Sequence, residues 1–255
     1  MKTVILAGGF GSRLSEETDS IPKPMVQIGG RPILWHIMKI YSAYGLNDFV
    51  VCLGYKGHLI KEFYANYFMH MSDMVVDLSN GTIEYQKGDV EPWRITLVDT
   101  GLNTQTGGRL KRVSRFLQDG PFCMTYGDGV GNVDIRKSID FHKEHKKKAT
   151  VTCVVPPGRF GLMEVEGSAV KRFSEKTDNT KNLINGGFFV LDPSVLDYID
   201  GDDVLWEKGP MEHLARDGQL EAFHHSGFWQ PMDTLRDKRL LEDLWDRQVA
   251  PWKIW

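Results

Sequence analysis

The stretch Leu6-Ala7-Gly8-Gly9-Phe10-Gly11-Ser12-Arg13-Leu14 follows without a break on the apolar run Thr3–Ala7. A short aliphatic and β-branched run that stops in three closely spaced glycines reads as a strand entering a tight connection. Working outward, Pro32 opens a run in which Ile33, Leu34, Ile37, Ile40 and Tyr41 recur at helical spacing, and Gly45 stands past its end as a stop. Phe49–Leu53 is then a second strand, and Lys56–Met71 a second helix with Leu59, Ile60, Phe63, Tyr67 and Phe68 on one stripe. Further on, Phe122–Tyr126 reads as a strand, Ile135–Lys147 as a helix and Ala149–Val155 as a fully buried strand. Strands alternating with helices define an α/β fold: a Rossmann-like, doubly wound three-layer sandwich around a mostly parallel central sheet. The alternation in TIEYQ and WRITLV between Asn80 and Val98, and the stretch Phe160–Phe173, predict small β insertions or sheet edges. Asp233–Trp245, with Leu235, Leu240, Leu241 and Leu244, predicts a last helix before a Trp-rich end.

The chain has 255 residues, 41% hydrophobic and 25% charged, the mixture of a globular domain rather than a disordered or collagenous chain. There is no repeat, Pro/Ser-rich linker or low-complexity segment, so residues 1–255 are expected to form one unit. A net charge of -3 gives no basic field for a nucleic-acid backbone, and no polynucleotide partner is expected. No window approaches the roughly 18 apolar residues of a membrane helix, and Met1-Lys2-Thr3 leads straight into the first strand without the apolar region of a secretory signal. Cys52, Cys123 and Cys153 lie far apart in apolar stretches and read as buried thiols. A cytoplasmic protein without a membrane partner is expected.

Gly8, Gly9 and Gly11 can take positive φ and let backbone N–H groups approach an anion. The loop is not the dinucleotide fingerprint, which needs Gly or Ala at 14 and finds Leu14; nor is it a P-loop, since no Gly-Lys-Ser/Thr follows. A bare strand-to-helix turn would explain the glycines alone. Adding Ser12, Arg13 and Lys23 between Pro22 and Pro24 places donors and two cations at the carboxyl end of a strand, where open α/β sheets bind ligands, and favours a polyphosphate. Gly127-Asp128-Gly129 sets an acid at the end of a buried strand, where a carboxylate can hold Mg²⁺. Asp233 is either a second metal carboxylate or the N-cap of the last helix. His142 and His145, spaced i, i+3 on a charged helix end, are expected on a solvated face. Trp252 and Trp255 are expected as an exposed aromatic tail making a subunit contact.

Taken together, LAGGFGSRL followed by Pro22-Lys23-Pro24 resembles the diagnostic opening of the sugar-1-phosphate nucleotidyltransferases. IGGRPILWHIMK, TGGRLKR, TYGDGV, PPGRFG, INGGFFV and GFWQPMDTLRDK extend the likeness over nearly the whole chain, most strongly to the branch that uses CTP and glucose 1-phosphate. The resemblance implies the nucleotide-diphospho-sugar transferase fold and Mg²⁺-dependent transfer of CMP from CTP to α-D-glucose 1-phosphate. The products would be pyrophosphate and CDP-glucose, a precursor of dideoxysugars in surface polysaccharide such as O-antigen. It implies further that Leu6, Ala7, Gly8, Gly9, Gly11, Ser12, Arg13, Lys23, Thr104, Arg109 and Gly127 bind the nucleotide. By the same likeness Asp128 and Asp233 bind the metal, and Glu175, Lys176, Asn185, Gly186 and Gly187 bind the sugar phosphate. Arg13, Lys23, Asp128 and Lys176 would carry the catalysis, residues 200–255 would complete the sugar and metal site, and a homo-oligomer is expected. Ser12 stands where the family more often has Thr, which keeps the hydroxyl; Thr177 follows Glu175-Lys176 where Pro is usual. The absence of a Ser/His/Asp or Cys/His set agrees with this chemistry, because a phosphate oxygen ionised near pH 7 needs no base. Two alternatives stay open: a thymidylyl- or uridylyltransferase on the same sugar phosphate, and a non-catalytic sugar-nucleotide sensor.

Overall fold

The computed structural model describes residues 1–86, 88, 90–156, 162–166, 168–174 and 183–255. Seven strands build its main sheet: β1 (Lys2–Ala7), β2 (Asp48–Leu53), β3 (Arg94–Asp99), β4 (Phe122–Tyr126), β5 (Ala149–Val154), β6 (Ile184–Leu191) and β7 (Leu220–His225). Their order is β7-β5-β6-β4-β1-β2-β3. β1 pairs in parallel with β2 and β4, β2 with β3, and β5 with β7. β6 runs antiparallel to both its neighbours, β4 and β5. The register sets Leu6 beside Cys52 on one side and Tyr126 on the other, so the ends of β1, β2 and β4 form one edge.

The helices follow the strands as the alternation requires: α1 (Ile33–Ser42), α2 (Gly57–Ala65), α3 (Thr106–Arg112), α4 (Ile135–His145), α5 (Pro210–Arg216) and α6 (Leu235–Asp246). Successive strand residues face opposite sides, and β1 divides accordingly. Ile5 and Ala7 join a core with Ile33 and Ile37 of α1, Ile139 of α4 and Leu241 of α6. Val4 and Leu6 join another with Leu110 of α3 and Leu214 of α5. These two cores on either face make the three layers that the sequence predicts.

Three expectations are corrected. The helix expected over 56–71 is two pieces, Gly57–Ala65 and Tyr67–Met71, because Asn66 leaves the helical region at φ −96°, ψ 0° and its side chain caps back onto the Glu62 carbonyl at 2.9 Å. Of its apolar stripe Ile60 and Tyr67 are buried, while Phe68 is 48% exposed. The segment after it, Asp73–Asp77, carried no strand in the sequence reading but pairs as a hairpin with Thr82–Gln86, the TIEYQ strand that the alternation predicts. Lastly, the aromatic tail is not exposed at Trp252: that residue is fully buried, stacked on Phe228 with ring centroids 5.6 Å apart and on Trp245 at 6.3 Å. Trp255 meets Trp35 edge-on at 5.8 Å. A large apolar ring gains more from the chain's own core than from solvent, so the tail folds back.

Candidate active site

The glycine loop leaves β1 at the carboxyl edge of the sheet and owes its shape to two different constraints. Gly11 takes φ +68° and opens the turn Ser12–Leu14, with Leu14 N–H donating to the Gly11 carbonyl at 2.9 Å. Gly8 needs its missing side chain for space, because a Cβ there would sit 2.2 Å from an Arg109 nitrogen. The positive φ considered for Gly8 and Gly9 is found only at Gly11 among the three.

Arg109, on α3, is buried and donates through Nη1 to Leu53 O, Thr100 Oγ1 and Gly101 O at 2.7–2.9 Å, and through Nη2 to Gly8 O and Leu102 O at 3.0 and 3.1 Å. It thus ties the glycine loop to the turn after β3. Thr104, also buried, lies beside that turn.

At the end of β4, Gly127 N–H donates to the Leu6 carbonyl at 3.0 Å, locking the neighbouring strand ends together and placing Asp128 beside the loop. The short strand Gly129–Gly131 then pairs with Trp229–Pro231, and Met232 N–H reaches the Asp128 carbonyl at 2.8 Å. Residues distant in sequence are brought to one edge. Asp233 is not the cap of α6: Thr234 is, in a reciprocal capping box with Asp237. The Asp233 carboxylate instead accepts from Lys23 Nζ at 2.7 Å and Arg13 Nη1 at 2.8 Å.

Lys23 Nζ also lies 2.7 Å from Asp128 Oδ2, so one ammonium joins both acids. Burial disfavours its charge, but the Asp128 carboxylate, with Asp233 in support, outweighs burial and holds the Lys23 pKa above its ordinary value. The two carboxylates converge on a single cation, which is what a divalent ion would ask of them. Mg²⁺ commonly takes one or two protein carboxylates and completes its shell with water and phosphate oxygens. Among the described residues no cluster of three or more His, Cys, Asp or Glu forms a closed metal cage.

These groups line one cleft of about 590 Å³, within the usual range for small-molecule sites. It gathers Leu6, Ala7, Gly8, Gly9, Gly11, Ser12, Arg13, Lys23, Thr104, Arg109, Gly127, Asp128, Asn185, Gly186, Gly187 and Asp233. Glu175 and Lys176 lie outside the described residues. In the same cleft Asn185 holds its own Gly187 N–H at 2.8 Å, and Trp229 Nε1 donates to the Gly186 carbonyl at 2.7 Å.

Sequence reasoning missed Tyr126, Thr106 and Glu207 as cleft residues. Tyr126 OH donates to Glu207 Oε1 at 2.5 Å and Thr106 OH to Glu207 Oε2 at 2.7 Å. No local motif marks Glu207 in Trp206-Glu207-Lys208-Gly209; only the Pro210 helix start nearby is legible. His142 and His145 are corrected as well. Their rings do not face water as a pair but meet on Thr150 Oγ1, at 2.9 and 2.7 Å, and His142 is buried.

A three-layer sheet sandwich with a glycine loop, paired cations and paired acids at its carboxyl edge is the architecture of a nucleotidyl-transferring enzyme, and the match bears this out. The nucleotidyl transferase family model covers residues 2–214, and the chain belongs to that family. Along its full length the chain is 58% identical to glucose-1-phosphate cytidylyltransferase of Salmonella typhi, covering 100% of both proteins. It is 43% identical to the probable glucose-1-phosphate cytidylyltransferase of Bacillus subtilis, again over 100% of each. Among solved structures it resembles HddC from Yersinia pseudotuberculosis with a TM-score of 0.68 at 20% identity, covering 96% of this chain and 99% of that one, a likeness of fold.

Proposed function

We propose that the protein transfers the cytidylyl group of CTP to glucose 1-phosphate, releasing pyrophosphate and CDP-glucose, with Mg²⁺ held by Asp128 and Asp233. The observation that carries the chemistry is the convergence of Lys23, Arg13 and the two carboxylates at the mouth of the glycine loop. The choice of substrates rests on the full-length likeness to the Salmonella and Bacillus proteins.

In this reading the Gly8–Ser12 backbone cradles the triphosphate, and Arg109, by holding the Gly8 carbonyl from behind, fixes the loop's position rather than reaching for the ligand. Lys23 and Arg13 turn from the acids to the phosphates and neutralise charge that would otherwise keep two anions apart. The metal, when bound, stabilises charge on the α-phosphate and on the departing pyrophosphate. The sugar phosphate oxygen attacks as an anion, since its second pKa is about 6, and no residue has to remove a proton. Asn185–Gly187, together with Glu175 and Lys176, would hold the sugar phosphate.

The chain is read as one unit whose residues from about 200 onward complete the site, in agreement with Asp233 and Trp229 lining the cleft. Self-association is part of the reading, and its surface moves from the aromatic tail to the hairpin Asp73–Gln86, where Met74, Val75, Val76, Ile83 and Tyr85 are all exposed. A cytoplasmic location is supported by three free, buried thiols, with Cys52 and Cys123 pushed up to about 12 by burial. Among the described residues no helix is long and apolar enough to cross a membrane. The supply of dideoxysugar precursors rests on the resemblance alone.

Pyrophosphate release measured with glucose 1-phosphate and CTP, dTTP, UTP, ATP or GTP tests the function. CTP is expected to be used at least tenfold better than the others, about 1.4 kcal/mol in the transition state. Preference for dTTP or UTP would replace the base, and release with none of them would leave a binding protein.

A further inference from the structure

The cleft separates its charges. Arg13 and Lys23 gather at the Asp128 and Asp233 side, while a second chain of polar groups has a carboxylate at its centre. Trp206 N–H donates to Thr106 Oγ1 at 2.9 Å, Thr106 OH donates to Glu207 Oε2, Tyr126 OH donates to Glu207 Oε1, and Asn185 Nδ2 reaches the Tyr126 oxygen at 3.3 Å. Four elements supply this chain: β4, β6, the start of α3 and the segment before α5. Glu207, Tyr126, Thr106 and Asn185 are each only partly buried, so the network is open to a ligand in the cleft.

A carboxylate there repels phosphate oxygens, so it must face an uncharged part of what binds. Its two oxygens offer about four acceptor sites, of which the Tyr126 and Thr106 hydroxyls occupy two. Beside them, Asn185 keeps a second amide proton on the nitrogen that reaches Tyr126. Acceptors and a donor in sequence suit neighbouring ring hydroxyls, each of which gives one proton and takes another.

We propose that Glu207, with the Tyr126 hydroxyl it orients, is a specificity-determining contact for the hydroxyls of the hexose ring. This rests on the proposed function and adds to it the residue that chooses the sugar. The phosphate of the sugar would lie toward Lys23 and its ring toward Glu207, which also sets the direction from which the attacking oxygen approaches.

The experiment is a cycle of Glu207→Gln and Tyr126→Phe against glucose 1-phosphate and its 2-, 3-, 4- and 6-deoxy analogues, with a melting curve for each variant. Wild type is expected to lose about 10- to 100-fold in kcat/KM on at least one analogue, as for loss of one hydrogen bond to a charged group. Glu207→Gln should lose a similar factor with glucose 1-phosphate, lose little more with that same analogue, and keep its KM for CTP. A purely structural role would lower every substrate alike. Equal discrimination among the deoxy analogues in wild type and Glu207→Gln overturns the proposal, and so does a change confined to the KM for CTP, which would assign Glu207 to the base. If wild type fails to turn over CTP and glucose 1-phosphate, the proposed function falls; the same sugar phosphates are then titrated calorimetrically. In that case binding that discriminates hexoses in wild type but not in Glu207→Gln supports the sugar contact, and binding unchanged by the substitution removes it. Where Glu207→Gln melts far below wild type, Tyr126→Phe carries the cycle with the same outcomes.

Discussion

Lys23 holds its ammonium 2.7 Å from a carboxylate oxygen of Asp128 and 2.7 Å from one of Asp233, at the place where those acids can share a divalent ion. A lysine so placed is an internal counter-ion: it keeps two nearby carboxylates from repelling each other before substrate arrives. Two like charges close together near a protein surface cost about 4 kcal/mol, so the lysine and a metal ion compete for one position. Lys23→Met is therefore expected to bind Mn²⁺ at least tenfold more tightly than wild type in the absence of nucleotide, followed by electron paramagnetic resonance, while turnover falls about 10²- to 10³-fold. Unchanged or weaker Mn²⁺ binding would show that the ammonium and the ion do not share the position. Asp128→Asn leaves the fold's backbone contacts in place, since the Asp128 carbonyl and not its carboxylate accepts from Met232. It should remove most Mg²⁺-dependent turnover with little change in melting temperature.

At the scale of elements, the start of α6 decides what Asp233 can do. Thr234 caps the helix: its hydroxyl oxygen accepts from Asp237 N–H at 3.2 Å, and the Asp237 carboxylate accepts from Thr234 N–H and from Asp233 N–H at 3.0 and 3.2 Å. The capping box relieves Asp233 of the cap and fixes its backbone, so that its side chain points to Lys23 and Arg13. Thr234→Ala is expected to cost about 1 kcal/mol of stability in denaturant unfolding, as caps usually do. It should also lower kcat/KM, because the helix end that positions an acid is loosened. Loss of stability with unchanged kinetics would separate the cap from the site. The hairpin Asp73–Gln86 tells the opposite story, since both its strands are exposed and two strands alone are marginal in water. The proposed self-association through this hairpin is tested by Val75→Lys with Ile83→Lys, which should give a smaller species than wild type in light scattering; an unchanged mass would take the hairpin out of that proposal.

For the whole molecule, two buried imidazoles couple folding to pH. His36 Nε2 donates to the Ile28 carbonyl at 2.9 Å while Nδ1 lies 3.4 Å from Trp252 Nε1, an arrangement that fits the neutral ring. Burial pulls His36 down to about 4, and burial with the neighbouring His145 does the same to His142. The unfolded chain, with histidine near 6.5, takes up those protons first on acidification. The stabilising contribution of each ring is then whole above about pH 6.5 and drains as pH falls toward 4, at up to about 1.4 kcal/mol per pH unit for His36. Denaturant midpoints of wild type and His36→Gln between pH 7.5 and 4.5 should converge on the acid side; parallel curves would mean that the ring titrates normally.

Periodicity and turn residues marked β1 to β5, α1, α4, α6 and the glycine loop in the sequence, because side-chain alternation and the backbone freedom of Gly11 are local properties, whereas β6, β7, α3 and α5 carried no such reading. The family motifs likewise marked Lys23, Asp128 and Asp233. What remained hidden was joint geometry: that Lys23 bridges both acids, that Arg109 turns inward to carry the loop, that Glu207 meets Tyr126 across 81 residues and that Trp252 closes the core. Those facts depend on which strand ends share an edge of the sheet. Long-range packing decides that, and no short window of sequence contains both partners of such a contact.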